Sequence, residues 1–393
     1  AAADGCFLIP LAVRLPFVLP GTDLWLDGIG SVEVAAVSGG RLRLRRERET
    51  IEVPLDPALP QPCAELSIRR SPTVRYQGCE IVLQPHALAA PGIDFAAAAM
   101  SAGLSYQAEH ADLFVRGLRV MERYAPRTFR RFRDAMRIIA LKPLGADDFT
   151  NVSHSDFPGA SVVSVVHHPF ELADALIHEF HHNVLYALEE RGAFFVDGRD
   201  GITDERHYSP WRPDPRPLRG VLHGIYVHLP VCAYWLTVNR SVDVDPVTAR
   251  YALDRVLRLV AQLTLGVAVL DRQAAFSSQG LRLWRTLLDD FAALRERVAG
   301  AGLPDDAPAL VCREDGTIEP ERNGSGRALG VREVVLEHRR RYDPEARPDV
   351  ADASRPGGGG RSPAGTGFPP AEGMEAELGT VVGGARAVVG HTQ

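Results

Sequence analysis

His178 and His182 stand four residues apart in the run His178-Glu179-Phe180-His181-His182. On an α-helix that spacing puts two imidazoles on one face, one turn apart, where both can offer a nitrogen to a single ion. Neutral imidazole suits zinc, iron and other transition metals. Glu179 is turned toward the open side of such an ion, where it can hold or deprotonate a bound water or orient a ligand. His181 points to another face and is read as structural or as a support behind the ligands. HExxH arises by chance on the order of a few per cent of the time in a chain of this composition, so its surroundings have to carry the case. Leu172, Ala173, Leu176, Ile177, Phe180 and Leu185 on the same stretch give the helix the apolar load that a buried metal helix needs.

Two histidines do not complete a site, and a third protein ligand is required. Glu189 and Glu190 lie on the same helix and are too close to serve as the distant acid of a zinc peptidase. The next helix offers His223 and His228. Five residues span about 140° of helix, so one of the two is expected to face the ion. Gly220 and Gly224 flank His223 on its own face and would let this helix approach the first, which favours His223; His228 is the alternative. Arg212, Arg216 and Arg219 cluster just before that histidine pair, and a guanidinium beside a metal suits the carboxylate of a substrate or cosubstrate. For each arginine the bland alternative is a surface ion pair. His167 and His168 face a substrate or cap a turn.

These residues must be positioned by the elements around them. Residues 1 to about 95 show short alternating runs, such as Arg41-Leu42-Arg43-Leu44-Arg45, bounded by turn residues, and are expected to be β-rich. From 95 to about 141 the spacing turns helical, with Pro126 separating two helices. A β-branched strand is expected over 160–166, open at its edge to an added peptide strand. The metal helix follows over 170–190. The Pro-rich run from Tyr208 to Pro217 is expected to be stiff and extended. Helices are predicted over 217–235, 246–270 and 279–298. The expected class is α+β: a β-rich region, 1–95, on a mainly helical metal-binding domain, 96–330, with a zincin-like strand–helix order. A Gly/Pro-rich tail, 331–393, is expected to be largely disordered.

Composition narrows the class further. The 393 residues are 45% hydrophobic and 24% charged, ordinary for a globular chain with ample core material. A net charge of -6 spread along the chain gives no basic field, so nucleic acid is not an expected partner. Five cysteines, far apart and without a CxxC pair, argue for reduced thiols and a cytoplasmic setting. No apolar run of roughly 18 residues suggests a membrane span, and the start of the chain lacks the basic region of a signal peptide.

The HExxH run, together with Ser209-Pro210-Trp211-Arg212-Pro213-Asp214-Pro215-Arg216-Pro217 and Gly220-Val221-Leu222-His223-Gly224, resembles the HExxH-type peptide β-hydroxylases that modify ribosomally made precursor peptides. The match covers roughly residues 160–235. The resemblance implies a non-haem Fe(II) dioxygenase that consumes 2-oxoglutarate and O2 and hydroxylates the β-carbon of a residue in a precursor peptide. It puts His178 and His182 in the metal pair and Arg216 on the 2-oxoglutarate carboxylate; Arg212 and Arg219 stay candidates for that carboxylate by their clustering alone. Some relatives carry Gln at the position of His223 and keep His at that of His228. Two other readings compete: a zinc peptidase with Glu179 as general base, and a peptide-binding partner without catalysis.

Overall fold

A computed structural model describes residues 11–14, 17–18, 24–28, 31–38, 40–46, 49–59, 66–84, 108–142, 151–164, 166–196, 205–302 and 307–343. The protein is mixed α+β, with seven helices and several small sheets among the described residues. The chain divides into two compact units, one of Ala1–Val120 with Arg127–Ala175, the other of Met121–Pro126 with Leu176–Gln393. The boundary expected near residue 95 lies outside the described residues.

In the first unit, alternation makes strands as expected. β1 (Leu11–Arg14), β4 (Ser31–Ser38), β5 (Arg41–Arg46) and β6 (Glu49–Pro54) form one antiparallel sheet in the order β1-β4-β5-β6. Leu42 and Leu44 of β5 are fully buried, while Arg43 on the other face pairs across the sheet with Glu52 at 2.8 Å. β2 (Phe17–Val18), β3 (Leu24–Gly28) and β7 (Leu66–Arg70) form a second sheet. β8 (Thr73–Tyr76) and β9 (Cys79–Gln84) are a hairpin whose two-residue loop, Gln77-Gly78, has φ of 47° and 75°. Positive φ at both positions gives the turn whose twist matches paired strands.

Helices α1 (Ala108–Tyr124) and α2 (Pro126–Ala135) are separated at Pro126 as predicted. The helical expectation fails after them: Ile138–Lys142 is a strand, β10. Ile139, Ala140 and Leu141 are buried whichever face they point to. Such a continuous apolar run fits an interior parallel strand, and periodicity alone does not separate it from a helix. β10 lies between β9 and β11 (Ala160–Ser164), parallel to both.

β11 is the last strand of its sheet, but its outer edge is closed to an added strand. The outward N–H of Ala160 donates to the carbonyl of Phe157 at 3.1 Å, and that of Val162 to the carbonyl of Val152 at 2.7 Å. The N–H of Ser164 donates to Asn151 Oδ1 at 2.8 Å. A peptide extended along this edge would find its donors spent, which overturns the expectation of strand addition there.

The second unit holds the later part of α3 (Pro169–Glu189), then α4 (Leu218–Asn239), α5 (Pro246–Gln273), α6 (Ser278–Val298), the β12–β13 hairpin (Leu310–Cys312, Ile318–Pro320) and α7 (Val331–Tyr342). Asp245 caps α5 by accepting from the N–H groups of Val247 and Thr248, with Pro246 in the first turn. Ser277 caps α6 through the N–H of Gly280. α4 is long and apolar enough to cross a membrane by length and composition, which the search for unbroken apolar runs missed. Most of it is buried against its neighbours, as for a central core helix.

The stretch expected to be a disordered tail begins as a helix. Val335 of α7 packs with Tyr208, Ala261 and Leu265, and Glu333 accepts the N–H of Gly330 at the helix start. An apolar stripe with a partner to bury it outweighs the polar composition around it. The rest of the tail, from 344, lies outside the described residues. Of the cysteines, Cys79, Cys232 and Cys312 are buried free thiols, while Cys6 and Cys63 fall outside the description.

Candidate metal centre

Leu176, Ile177, Phe180 and Leu185 are buried to within 1% and anchor the later part of α3. That leaves His178, His182, Tyr186 and Glu189 along another face, spaced by four, four and three residues. The Nε2 atoms of His178 and His182 face each other at 3.1 Å. Glu179 is 1% exposed, and its Oε1 lies 3.9 Å from His178 Nε2. His178, Glu179 and His182 thus offer three ligand atoms, all within 4.8 Å of one another. Burial lowers the pKa of both histidines well below the ordinary value, with the neighbouring histidines acting in the same direction. The neutral ring is the form that binds metal. His181 turns away as expected: its Nδ1 donates to the carbonyl of Ile177 at 2.7 Å, and its ring leans on Phe180 and Tyr226.

The two histidines of α4 meet this group differently. Both ring nitrogens of His223 are engaged, Nδ1 with His182 Nδ1 at 3.2 Å and Nε2 with Glu189 Oε1 at 3.0 Å. His228 donates from Nδ1 to the carbonyl of Gly224 at 2.7 Å. A neutral imidazole carries one N–H, so Nε2 of His228 bears a lone pair. Its ring stands edge-on to that of His178, with centroids 4.9 Å apart. On the other side it lies flat against the Trp211 indole, 4.8 Å away and 4° from parallel.

That stack revises the part assigned to the glycines. A Cβ on Gly224 would come within 2.5 Å of the Trp211 ring, and one on Gly266 of α5 within 2.7 Å. A Cβ on Gly220 would meet the Arg216 side chain at 3.2 Å. These glycines make room for the loop before α4 and for α5, and the geometric preference for His223 loses its basis. The Pro-rich run is likewise a closed loop instead of a stiff lead-in: His207 and Arg216 exchange backbone hydrogen bonds at 2.7 and 2.8 Å. Gln262 of α5 donates to the carbonyl of Pro210 at 2.9 Å and pins the loop beside Trp211.

The three candidate arginines are paired with acids. Arg219 grips Glu189 with two hydrogen bonds, 2.7 and 2.6 Å, and its guanidinium lies over the Tyr186 ring. Burial would raise the Glu189 carboxyl, but the hydrogen bonds from Arg219 and His223 outweigh it and bring the pKa down to about 2. Arg212 donates to Asp214 Oδ1 at 2.9 Å, and Arg216 Nε lies 3.0 Å from Asp214 Oδ2. Arg216 precedes the helix, which starts at Leu218, so it does not share a helical face with His223. His167 and His168 belong to the first unit, where the His167 ring lies 6.4 Å from that of His110.

Sequence reasoning missed three participants. Glu189 carried a usable signal, since it follows His182 by seven residues and shares its face. Trp211 stood inside the quoted motif without a role. Arg255 of α5 brings a positive charge that acts on both His178 and His228, and nothing in its local sequence announced this. No protein-family model matches the chain and comparison with curated proteins gives no match, so the chemistry rests on this geometry.

Proposed function

We propose that this protein is a metal-dependent enzyme, and that its reaction is the Fe(II)- and 2-oxoglutarate-dependent hydroxylation of a β-carbon in a precursor peptide. The observation that carries the metal reading is the pair of imidazole nitrogens 3.1 Å apart beside a buried carboxylate. Ligand nitrogens about 2.0–2.1 Å from one ion, at roughly tetrahedral to octahedral angles, stand about 2.8–3.4 Å from each other. Two neutral rings held in that relation fit a shared divalent ion. The order of β11 followed by α3 supports a zincin-like kinship for this helix.

His178 and His182 are the first two ligands. His228 is the better third, because its Nδ1–H is tied to Gly224 and its Nε2 lone pair is uncommitted to that bond, whereas both nitrogens of His223 are engaged. Three histidines suit zinc and non-haem iron alike, so the choice of iron follows the resemblance of the two motifs. Bound there, Fe(II) would supply the activation of O2 that 2-oxoglutarate decarboxylation drives. Glu179 would hold a ligand or water by accepting its hydrogen. Arg216 is the arginine assigned to the 2-oxoglutarate carboxylate. It meets Asp214 through Nε, while Arg219 donates from Nε and Nη2 to the two oxygens of Glu189. The Arg255 charge adds to the pull on an anionic cosubstrate.

Anaerobic addition of Fe(II) and 2-oxoglutarate is expected to give the weak visible band of a chelated 2-oxo acid. Peptide and O2 should then yield succinate and a peptide heavier by one oxygen. No band and no succinate would remove the assignment. The buried Glu179 next to His178 also favours a second reading, a zinc peptidase with Glu179 as general base. That reading predicts peptide cleavage with zinc alone and its loss in Glu179→Gln; an uncleaved peptide rejects it.

A further inference from the structure

Behind His182, on the side away from His178, runs a connected polar chain that crosses from α3 to α4 and back. Its protons can be placed one by one. Arg219 donates to both oxygens of Glu189, so Glu189 is an ionised carboxylate and can only accept. The bond between Glu189 and His223 Nε2 therefore carries the histidine's proton. A neutral His223 then has a lone pair on Nδ1. That atom faces His182 Nδ1 at 3.2 Å, so the hydrogen between the two rings belongs to His182. With its proton on Nδ1, His182 keeps a lone pair on Nε2, the nitrogen that faces His178.

From this order we infer that Glu189, acting through His223, is a positioning residue that fixes the tautomer and ring orientation of His182 for metal binding. The inference rests on the metal-site reading above and adds a division of labour to it: His223 orients a ligand and does not itself bind the ion. A histidine ligand commonly donates its second N–H to a carboxylate or carbonyl, which sets the ring and raises its basicity. Here a second imidazole is inserted between ligand and carboxylate, and Arg219 and the Tyr186 ring enclose the far end. Glu189 and His223 are only 17% and 9% exposed in their side chains, which limits the competition from water for these bonds.

Two measurements test this. In metal-free wild type labelled with 15N-histidine, long-range 1H–15N correlation reports which ring nitrogens are protonated. The expected pattern is Nδ1–H for His182 and Nε2–H for His223. A His223 protonated on Nδ1, alone or with Nε2, would put the His182 proton on the wrong nitrogen and overturn the inference. The second measurement titrates Co(II) into wild type, Glu189→Gln and His223→Ala, reading affinity by chelator competition and geometry by the visible ligand-field bands. Both variants should bind one Co(II) about 10–100-fold more weakly with unshifted bands. Wild-type affinity in Glu189→Gln, or shifted bands in His223→Ala, would overturn the division of labour while leaving the metal site intact. Wild type that binds no Co(II) overturns the metal site itself, and this inference with it.

Discussion

His223 and His228 sit five residues apart on one helix and face opposite kinds of surroundings. Around His223 are an ionised Glu189, a doubly bonded Arg219 and the Tyr186 ring. Around His228 are the flat Trp211 indole, the His178 ring and one backbone carbonyl. The same side chain is an intermediary in one setting and a candidate ligand in the other. The difference lies in what the second ring nitrogen touches: an acid on another helix draws the proton of His223, while a carbonyl one turn back on its own helix fixes that of His228.

The comparison is sharpest for metal affinity. His178→Ala or His182→Ala removes half of the facing pair and is expected to reduce affinity by on the order of a thousandfold or more, measured by chelator competition. His228→Ala should approach that loss, whereas His223→Ala should cost about 10–100-fold. Equal losses at 223 and 228 would erase the distinction between the two positions. Trp211→Ala should destabilise the fold by about 3 kcal/mol, since it empties the slot between Gly224 and Gly266. Gly224→Ala should cost about 1–3 kcal/mol by forcing the indole off His228. Urea unfolding measures both, and a neutral Gly224→Ala would show that the slot has slack.

The smallest effect separates the acid side of α4 from the apolar side. The Glu189 carboxyl sits at about 2 in the folded protein, below its ordinary 4.5. Its stabilising pairing is therefore complete above pH 4.5 and is lost as the pH falls toward 2. Arg219 is 43% exposed, so solvent screening reduces the contribution to about 1 kcal/mol. Metal-free wild type should lose that increment of stability across this window, and Glu189→Gln should not. Identical acid profiles would mean that the pair contributes nothing to folding.

The sequence made α3 legible because its signal is local: an apolar face repeating at the helical period, with two histidines and an acid set on it. The same periodicity located α4, α5 and α6 to within a few residues. What it could not supply were partners. Gly224 was read as a seat for the metal helix, yet Trp211, thirteen residues earlier, fills the space above it. Glu189 was set aside as too close to be the distant acid of a zinc peptidase, and its bond to His223, which depends on how α3 and α4 pack, was not foreseen. Arg212, Arg216 and Arg219 were identified by clustering, while Asp214 and Glu189, which hold them, were left out of the reckoning. At 138–142 a buried apolar run has the same composition as a helix, and only its neighbours β9 and β11 make it a strand.

The central claim is that His178 and His182 hold one divalent ion between their facing nitrogens. X-ray absorption at the zinc edge, on protein loaded with one equivalent of Zn(II), tests it most directly. The account predicts imidazole scattering from nitrogens at about 2.0–2.1 Å, with loss of the bound zinc in His178→Ala. A spectrum without imidazole ligands, or one unchanged by that substitution, would contradict it.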